Sequence, residues 1–254
     1  YLKDVRSVVE ENHMYIRIAS NDFFAVSKDV VSKMIAGELT AAQAYQAFNA
    51  KLLAEEEPAD NETVLTSGKA YSNVFHANGG SAAFSVMANT LRGVYGTDVL
   101  LATANSFTGS VLQADYNQKM AASMIMPNGL MSRQRTMTGA ELKETVRAFV
   151  EGCEGGFVPF NRGSLPVVSG IAVEVKEANG SYTLTGITRN GQPLGDGDTV
   201  TVTCLATEKQ MEALLASDSG TSAGEDAWVK STWTDYVSGG KAVLAEPENY
   251  MTLR

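Results

Sequence analysis

The sequence predicts an α+β fold: a mixed β-sheet with flanking helices, preceded by a helical hairpin. Three observations carry this. The pair Thr138 and Glu141 forms a capping box in front of the helical stripe Leu142, Val146, Phe149 and Val150. Strand-like runs follow at 167–176, 182–189 and 199–205, punctuated by Asn179-Gly180 and by Asn190-Gly191-Gln192-Pro193. Strands and helices interleave without the regular βαβ alternation of a parallel sheet.

Taken in order, the apolar positions Phe23, Val26, Val30, Val31, Met34 and Ile35 recur at helical spacing over residues 22–36, and Gly37 stands where a left-handed cap belongs. A second helix starts at Thr40, which has capping-box spacing to Gln43, with Ala41, Ala44, Tyr45, Phe48 and Leu52 on one stripe. Glu55, Glu56, Glu57, Pro58, Ala59 and Asp60 are acidic and broken by proline, the composition of a linker. The expected organisation is a helical N-terminal segment (1–57), a linker (58–71) and a domain (72–254). Within the domain a helix near 81–95 runs into an apolar strand at 98–103, and 124–137 is mostly extended. The capped helix runs to about Glu151. Helices near 208–216 and 226–237 enclose a Ser/Gly loop, and the chain ends in short extended pieces.

Composition narrows the function. The chain has 254 residues with 20 basic and 29 acidic side chains, a formal charge of -9. It carries no electrostatic footprint for nucleic acid or for an anionic membrane. Two histidines cannot furnish a His-rich dinuclear metal site, and two cysteines cannot make a disulfide framework. No run of about 18 apolar residues crosses a bilayer. The chain starts at Tyr1 without an initiator methionine or a signal-peptide pattern, so the expectation is a piece of a longer polypeptide.

The stretch Gly163-Ser-Leu-Pro-Val-Val-Ser-Gly-Ile-Ala-Val-Glu-Val, then Ile187-Thr-Arg-Asn-Gly-Gln-Pro-Leu, Asp198-Thr-Val-Thr-Val and, upstream, Thr138-Gly-Ala-Glu-Leu-Lys, resembles the C-terminal domain of the bacterial 5′-nucleotidase family. The resemblance covers about residues 72–254. It implies a domain that grips a nucleoside while a separate N-terminal metallophosphoesterase domain hydrolyses the phosphate ester. Histidine motifs of the metal site are absent here: His13 is flanked by Asn12 and Met14, and His76 by Phe75 and Ala77. No catalytic residue, metal ligand or cofactor is therefore expected in this chain. The family's Asn-x-Gly-Gly-x-Arg loop falls on Asn105-Ser-Phe-Thr-Gly-Ser, which keeps Asn105 and puts Ser110 in the arginine's place. A serine lacks the charged fork that grips phosphate. Likewise Pro-Phe-Gly-Asn falls on Pro127-Asn128-Gly129-Leu130, without the stacking aromatic, and the Gly-Gly-Asp-Gly segment falls on Thr203-Cys-Leu-Ala-Thr-Glu-Lys-Gln. Asp22-Phe-Phe-Ala and the segment from Met34 to Leu52 resemble the last helices of extracellular sugar-binding proteins of ABC transporters. Together these imply a noncatalytic, degenerate nucleotidase-like recognition or structural module of an exported, cell-surface protein, anchored through an upstream lipidated segment. The alternative is the substrate-binding domain of a nucleotide or nucleotide-sugar hydrolase whose catalytic domain lies upstream. The implied ligand is a nucleoside or a sugar.

Candidate ligand-binding residues are Asn105, Phe107 and Asn128 in these loops, with Phe157 and Phe160 in the Gly/Pro loop Gly155-Gly-Phe-Val-Pro-Phe-Asn161, because loop aromatics on a rigid scaffold are frequent binding groups. Gly220-Thr-Ser222-Ala-Gly224 has nucleophile-elbow spacing but no strand before it and no histidine to activate it, so it reads as a loop. Gly195-Asp-Gly-Asp198 reads as a turn rather than a calcium loop. Trp228, Trp233 and Tyr236 are stacking residues if exposed and core if buried. Met120, Met124, Met126 and Met131 read as core, and Cys153 and Cys204 as either a pair or two buried thiols.

Overall fold

The computed structural model describes residues 13–19, 22–27, 32, 33, 35–38, 43, 62–75, 80–125, 129–151, 165–179, 181–208, 210, 211, 220–240 and 242–254. Two compact units divide the chain, Tyr1–Glu62 and Thr63–Arg254.

In the first unit, β1 (His13–Ala19) and β2 (Asp22–Ser27) pair as an antiparallel hairpin. Residues 22–27 are thus a strand where helical spacing predicts a helix. The run Phe23, Phe24, Val26 is short and rich in β-formers, so its period is ambiguous, and pairing with the Tyr15-Ile16 run decides it. Ser32, Lys33 and Ile35 are helical, and Gly37 takes the left-handed conformation (φ +74°) that the cap requires. Gln43 is helical as well. The rest of the second expected helix and the acidic run 55–60 lie outside the described residues.

The second unit is the α+β body. Its central mixed sheet runs β12-β6-β11-β4-β7, with β13 also on β6. These strands are β4 (Val99–Thr103), β6 (Leu130–Thr138), β7 (Pro166–Ser169), β11 (Thr199–Thr207), β12 (Thr221–Ser222) and β13 (Ala227–Trp228). β4 and β11 are parallel; the other pairs are antiparallel. β4 is buried along its whole length, which is why Val-Leu-Leu-Ala-Thr shows no alternation. A second sheet runs β10-β9-β8-β14, from β8 (Ala172–Ala178), β9 (Ser181–Arg189), β10 (Gln192–Pro193) and β14 (Met251–Leu253), with β14 parallel to β8. Thr63–Ser67, inside the span read as a linker, is β3 and pairs with β5 (Ala114–Asn117); Leu65 and Ser67 alternate inward, a pattern too short to stand out in the sequence.

Helix α1 (Ala82–Tyr95) is capped by the Ser81 side chain, which accepts from the Phe84 N–H, and closed by Gly96 at φ +65°. α2 (Gln118–Ala122) is a single turn capped by Asn117. The capping box before α3 (Gly139–Glu151) is formed as the spacing predicts. Glu141 accepts from the Thr138 N–H at 2.7 Å, and Thr138 Oγ1 accepts from the Glu141 N–H at 3.2 Å. α4 (Val229–Ser238) starts later than the expected helix at 226, because Asp226 is held by Arg133 and Ala227–Trp228 pair with β6.

One expected strand, 167–176, is two. Gly170 (φ +82°) turns the chain between β7 in the central sheet and β8 in the second, and a Cβ there would lie 2.0 Å from the Asp98 carbonyl oxygen. That close approach admits only glycine. Ahead of β14, residues 245–248 lie along α1. The Ala245 N–H donates to Thr90 Oγ1 (2.9 Å), Asn89 Nδ2 to the Glu246 carbonyl (2.9 Å) and Ser85 Oγ to the Glu248 carbonyl (2.9 Å).

Candidate functional site

The loop after β4 is where the resemblance places the nucleotide. Asn105 lies on a 3₁₀ turn, Ala104–Ser106, and is exposed. Phe107, a candidate for ligand contact, is instead 2% exposed, with its ring centroid 5.8 Å from Phe84, which in turn meets Phe75 edge-on at 5.7 Å. It fills the core: β4 ends at Thr103, the 3₁₀ turn follows, and the next side chain packs against Phe84 of α1. Ser110, in the arginine's place, is occupied internally. Its Oγ accepts from the Asn73 N–H (3.2 Å) and donates to Asn73 Oδ1 (3.1 Å), beside the backbone pair Tyr71 and Val111. Asn128, Phe157 and Phe160 lie outside the described residues, as does Cys153.

A cleft of about 270 Å³ opens at the other end of β4, lined among others by Arg92, Asp98, Gly170, Arg189, Glu248 and Asn249. Sequence spacing gives no sign of it, since its charges come from α1, the residue before β4, β9 and the C-terminal segment. Arg92 Nε donates to Ser169 Oγ (2.9 Å) and Nη2 to Asn89 Oδ1 (2.8 Å) and Glu248 Oε1 (3.3 Å). Glu248 Oε2 accepts from the Gly170 N–H at 3.2 Å. Asp98 pairs with Arg189 and accepts from the Thr201 N–H (2.9 Å) and hydroxyl (3.0 Å). Burial alone would raise the Asp98 pKa, but the Thr201 bonds and the Arg189 and Arg92 charges outweigh it and hold the carboxyl below its usual range. Two guanidinium groups and two carboxylates neutralise one another here, tying both sheets to α1. The depressed pKa sets a sign: this contribution to stability is present above the ordinary aspartate value of about 3.9 and is lost as pH falls below it. Asp98→Asn is therefore expected to be less stable than the parent at pH 7 and to lose less stability between pH 5 and pH 2. Chemical denaturation at a series of pH values reads this, and parallel pH profiles would refute it.

Among the described residues no group of three or more His, Cys, Asp or Glu can hold a metal ion. Cys204 is a buried free thiol, and burial pushes it up to about 12 in spite of Arg135 and Arg133 nearby, so it is no nucleophile at neutral pH. Ser222 is an exposed edge residue that donates to the Gly224 carbonyl (3.0 Å), and Gly195–Asp198 is a tight turn closed by the Gly195 N–H on Asp198 Oδ2 (2.8 Å). The aromatic trio divides: Trp233 is buried and Trp228 is 56% exposed.

No family model and no curated protein matches the sequence. Solved structures do match. The 5′-nucleotidase precursor of Thermus thermophilus superposes with a TM-score of 0.55 at 12% identity, over 91% of this chain and 46% of its own. The sulfate thiohydrolase SoxB of the same organism gives 0.57 at 12%, over 95% and 44%. The NAD nucleotidase of Haemophilus influenzae gives 0.54 at 16%, over 95% and 48%. The chain spans about half the length of these proteins. At such identities the likeness concerns the fold, and the fold of this chain is that of a 5′-nucleotidase C-terminal-like domain.

Proposed function

We propose that this chain is a noncatalytic recognition or structural module of an exported, cell-surface protein, built on the nucleotidase C-terminal fold with its nucleotide site lost. The observation that carries this is Ser110. It stands where the resemblance requires an arginine, and both of its hydrogen bonds are taken by Asn73. Phe107 beside it is core. No bidentate cation is left at that loop to hold a phosphate.

Two measurements test the reading. The purified chain is expected to release no phosphate from AMP or a UDP-sugar, with or without added divalent metal; metal-dependent release would overturn it. In calorimetry, adenosine and AMP are expected to bind weakly. Each lost charge-assisted bond or base stack costs about 1–3 kcal/mol, so losing both weakens binding about a hundredfold or more. Micromolar adenosine binding would refute the lost site.

A second reading is supported by coverage: the chain spans 44–48% of hydrolases that share its fold. In that case it is the substrate-binding part of a larger nucleotide or nucleotide-sugar hydrolase. The complete gene product discriminates, since a metallophosphoesterase upstream favours the hydrolase and a solute-binding lobe favours the recognition module.

A further inference from the structure

Strand β6 has an unusual composition for the inside of a sheet, Met131-Ser-Arg-Gln-Arg-Thr136. Side chains alternate along a strand, so Met131, Arg133 and Arg135 share one face and Ser132, Gln134 and Thr136 the other. Register places Trp228 of β13 opposite Met131, Cys204 of β11 opposite Arg133 and Ser222 of β12 opposite Arg135, all on that first face. The two arginines are in different states. Arg133 holds Asp226 in a bidentate pair, Nε to both carboxylate oxygens (3.1 and 3.0 Å) and Nη2 to Oδ2 (2.6 Å), and this bond keeps the Asp226 carboxyl below its usual range against the effect of burial. The Arg135 side chain makes no hydrogen bond or close ion pair among the described residues, although its charge helps to hold the Asp226 carboxyl down, and its Nε is buried without a partner. An unpaired buried guanidinium nitrogen is a costly feature, and Arg135 as a whole is partly exposed.

We propose that this face of β6 binds an acidic sugar, its carboxylate on the Arg135 guanidinium and its ring over Trp228 and Met131. The Arg fork matches a carboxylate in two parallel hydrogen bonds. Trp228, 56% exposed, supplies the ring-stacking platform. Four residue steps along β6 lead from Met131, opposite Trp228, to Arg135, about 13 Å at ~3.3 Å per residue, the reach of two linked hexoses. A peptide added as a strand fits less well. The outer edge consists of two dipeptide strands, β12 and β13, separated by residues 223–226, and so offers no continuous row of backbone donors and acceptors. Extended polyanions are repelled by the formal charge of -9. The face shares no residue with the Asn105 to Ser110 loop, so failure here would leave the phosphate-release and adenosine results standing.

The test compares cellobiouronate with cellobiose, which differ only in the carboxylate, on the whole chain by calorimetry and by tryptophan fluorescence. Cellobiouronate is expected to bind saturably and at least tenfold more tightly than cellobiose. Arg135→Gln should erase that preference, Arg135→Lys should retain part of it, and Trp228→Ala should remove the fluorescence response and weaken both sugars. Absence of saturable cellobiouronate binding, equal affinity for the two sugars, or an unchanged preference in a folded Arg135→Gln chain would overturn the proposal. Inorganic phosphate or a glutamate tripeptide binding as tightly as cellobiouronate would overturn the assignment to a sugar. The two-sugar comparison needs no variant and decides the matter even where a substitution impairs folding.

Discussion

A chain ending at Lys241 is expected to lose its cooperative thermal transition. The deleted residues include Tyr250 and Met251, each 1% exposed, and the whole of β14. Truncating a buried aromatic costs about 3–5 kcal/mol and a buried methionine about 2–5 kcal/mol, against a typical domain stability of about 5–15 kcal/mol. The backbone loss adds to this. The Val173 N–H donates to the Tyr250 carbonyl (2.9 Å), the Arg254 N–H to the Val175 carbonyl (2.9 Å) and the Glu177 N–H to the Arg254 carbonyl (2.9 Å), and all three bonds vanish together. On α1, Ser85 and Thr90 lose their partners in residues 245–248, and the Ser81 N–H loses its acceptor, the Tyr250 hydroxyl oxygen at 3.2 Å. The last point isolates one bond: Tyr250→Phe keeps the ring and leaves the Ser81 N–H unpaired in the core, at about 1–3 kcal/mol. Circular dichroism melts of the three chains should therefore rank full length, Tyr250→Phe, then the truncation with no sharp transition. A truncated chain that melts cooperatively within a few degrees of the full one would mean that the C-terminal segment is peripheral.

The same contrast between local and distant causes explains what the sequence discloses. The capping box of Thr138 and Glu141 is legible because both partners lie within one helical turn, and β9 and β11 are legible because their turns are written in Asn-Gly and Gly-Asp dipeptides beside them. The break at Gly170 is not. It exists because the Asp98 carbonyl sits where a side chain would go, and no local pattern reports a neighbour so far along the chain. Residues 22–27 fail for a related reason: their apolar spacing suits a helix as well as a strand, and only the partner β1 decides between them. At the candidate site, the exchange of arginine for Ser110 is visible in the sequence, whereas the capture of Ser110 by Asn73 and the turning inward of Phe107 depend on packing against β3-side and α1 residues. The cleft charges Arg92, Asp98, Arg189 and Glu248 meet from four separate elements. The unmatched guanidinium of Arg135 is visible only once Asp226 is seen to choose Arg133.

Trp228 and Trp233 look alike in the sequence, two aromatics on one expected helix, and their substitutions are expected to differ most. Trp233 is 0% exposed, its ring centroid lies 5.7 Å from that of Tyr236, and its indole N–H donates to the Ala121 carbonyl at 2.7 Å, fixing α4 to α2. Trp233→Ala removes a ring that cannot be replaced by collapse of the short helix α2, and it strands a buried carbonyl. A cost of about 3–5 kcal/mol follows. For a unit of this size each kcal/mol moves the melting temperature by about 2–4 °C, so a drop of roughly 6–20 °C is expected. Trp233→Phe restores most of the packing and none of the hydrogen bond, and should fall between. Trp228, at 56% exposure, contributes little to folding, and Trp228→Ala should stay within about 0.5 kcal/mol of the parent. Equal losses for the two tryptophans would mean that Trp228 is covered in solution. A Trp233→Ala chain as stable as the parent would mean that α4 is not packed on α2 as described. With only two tryptophans in the chain, the folded Trp233→Phe protein also leaves Trp228 as the sole indole reporter on the β6 face.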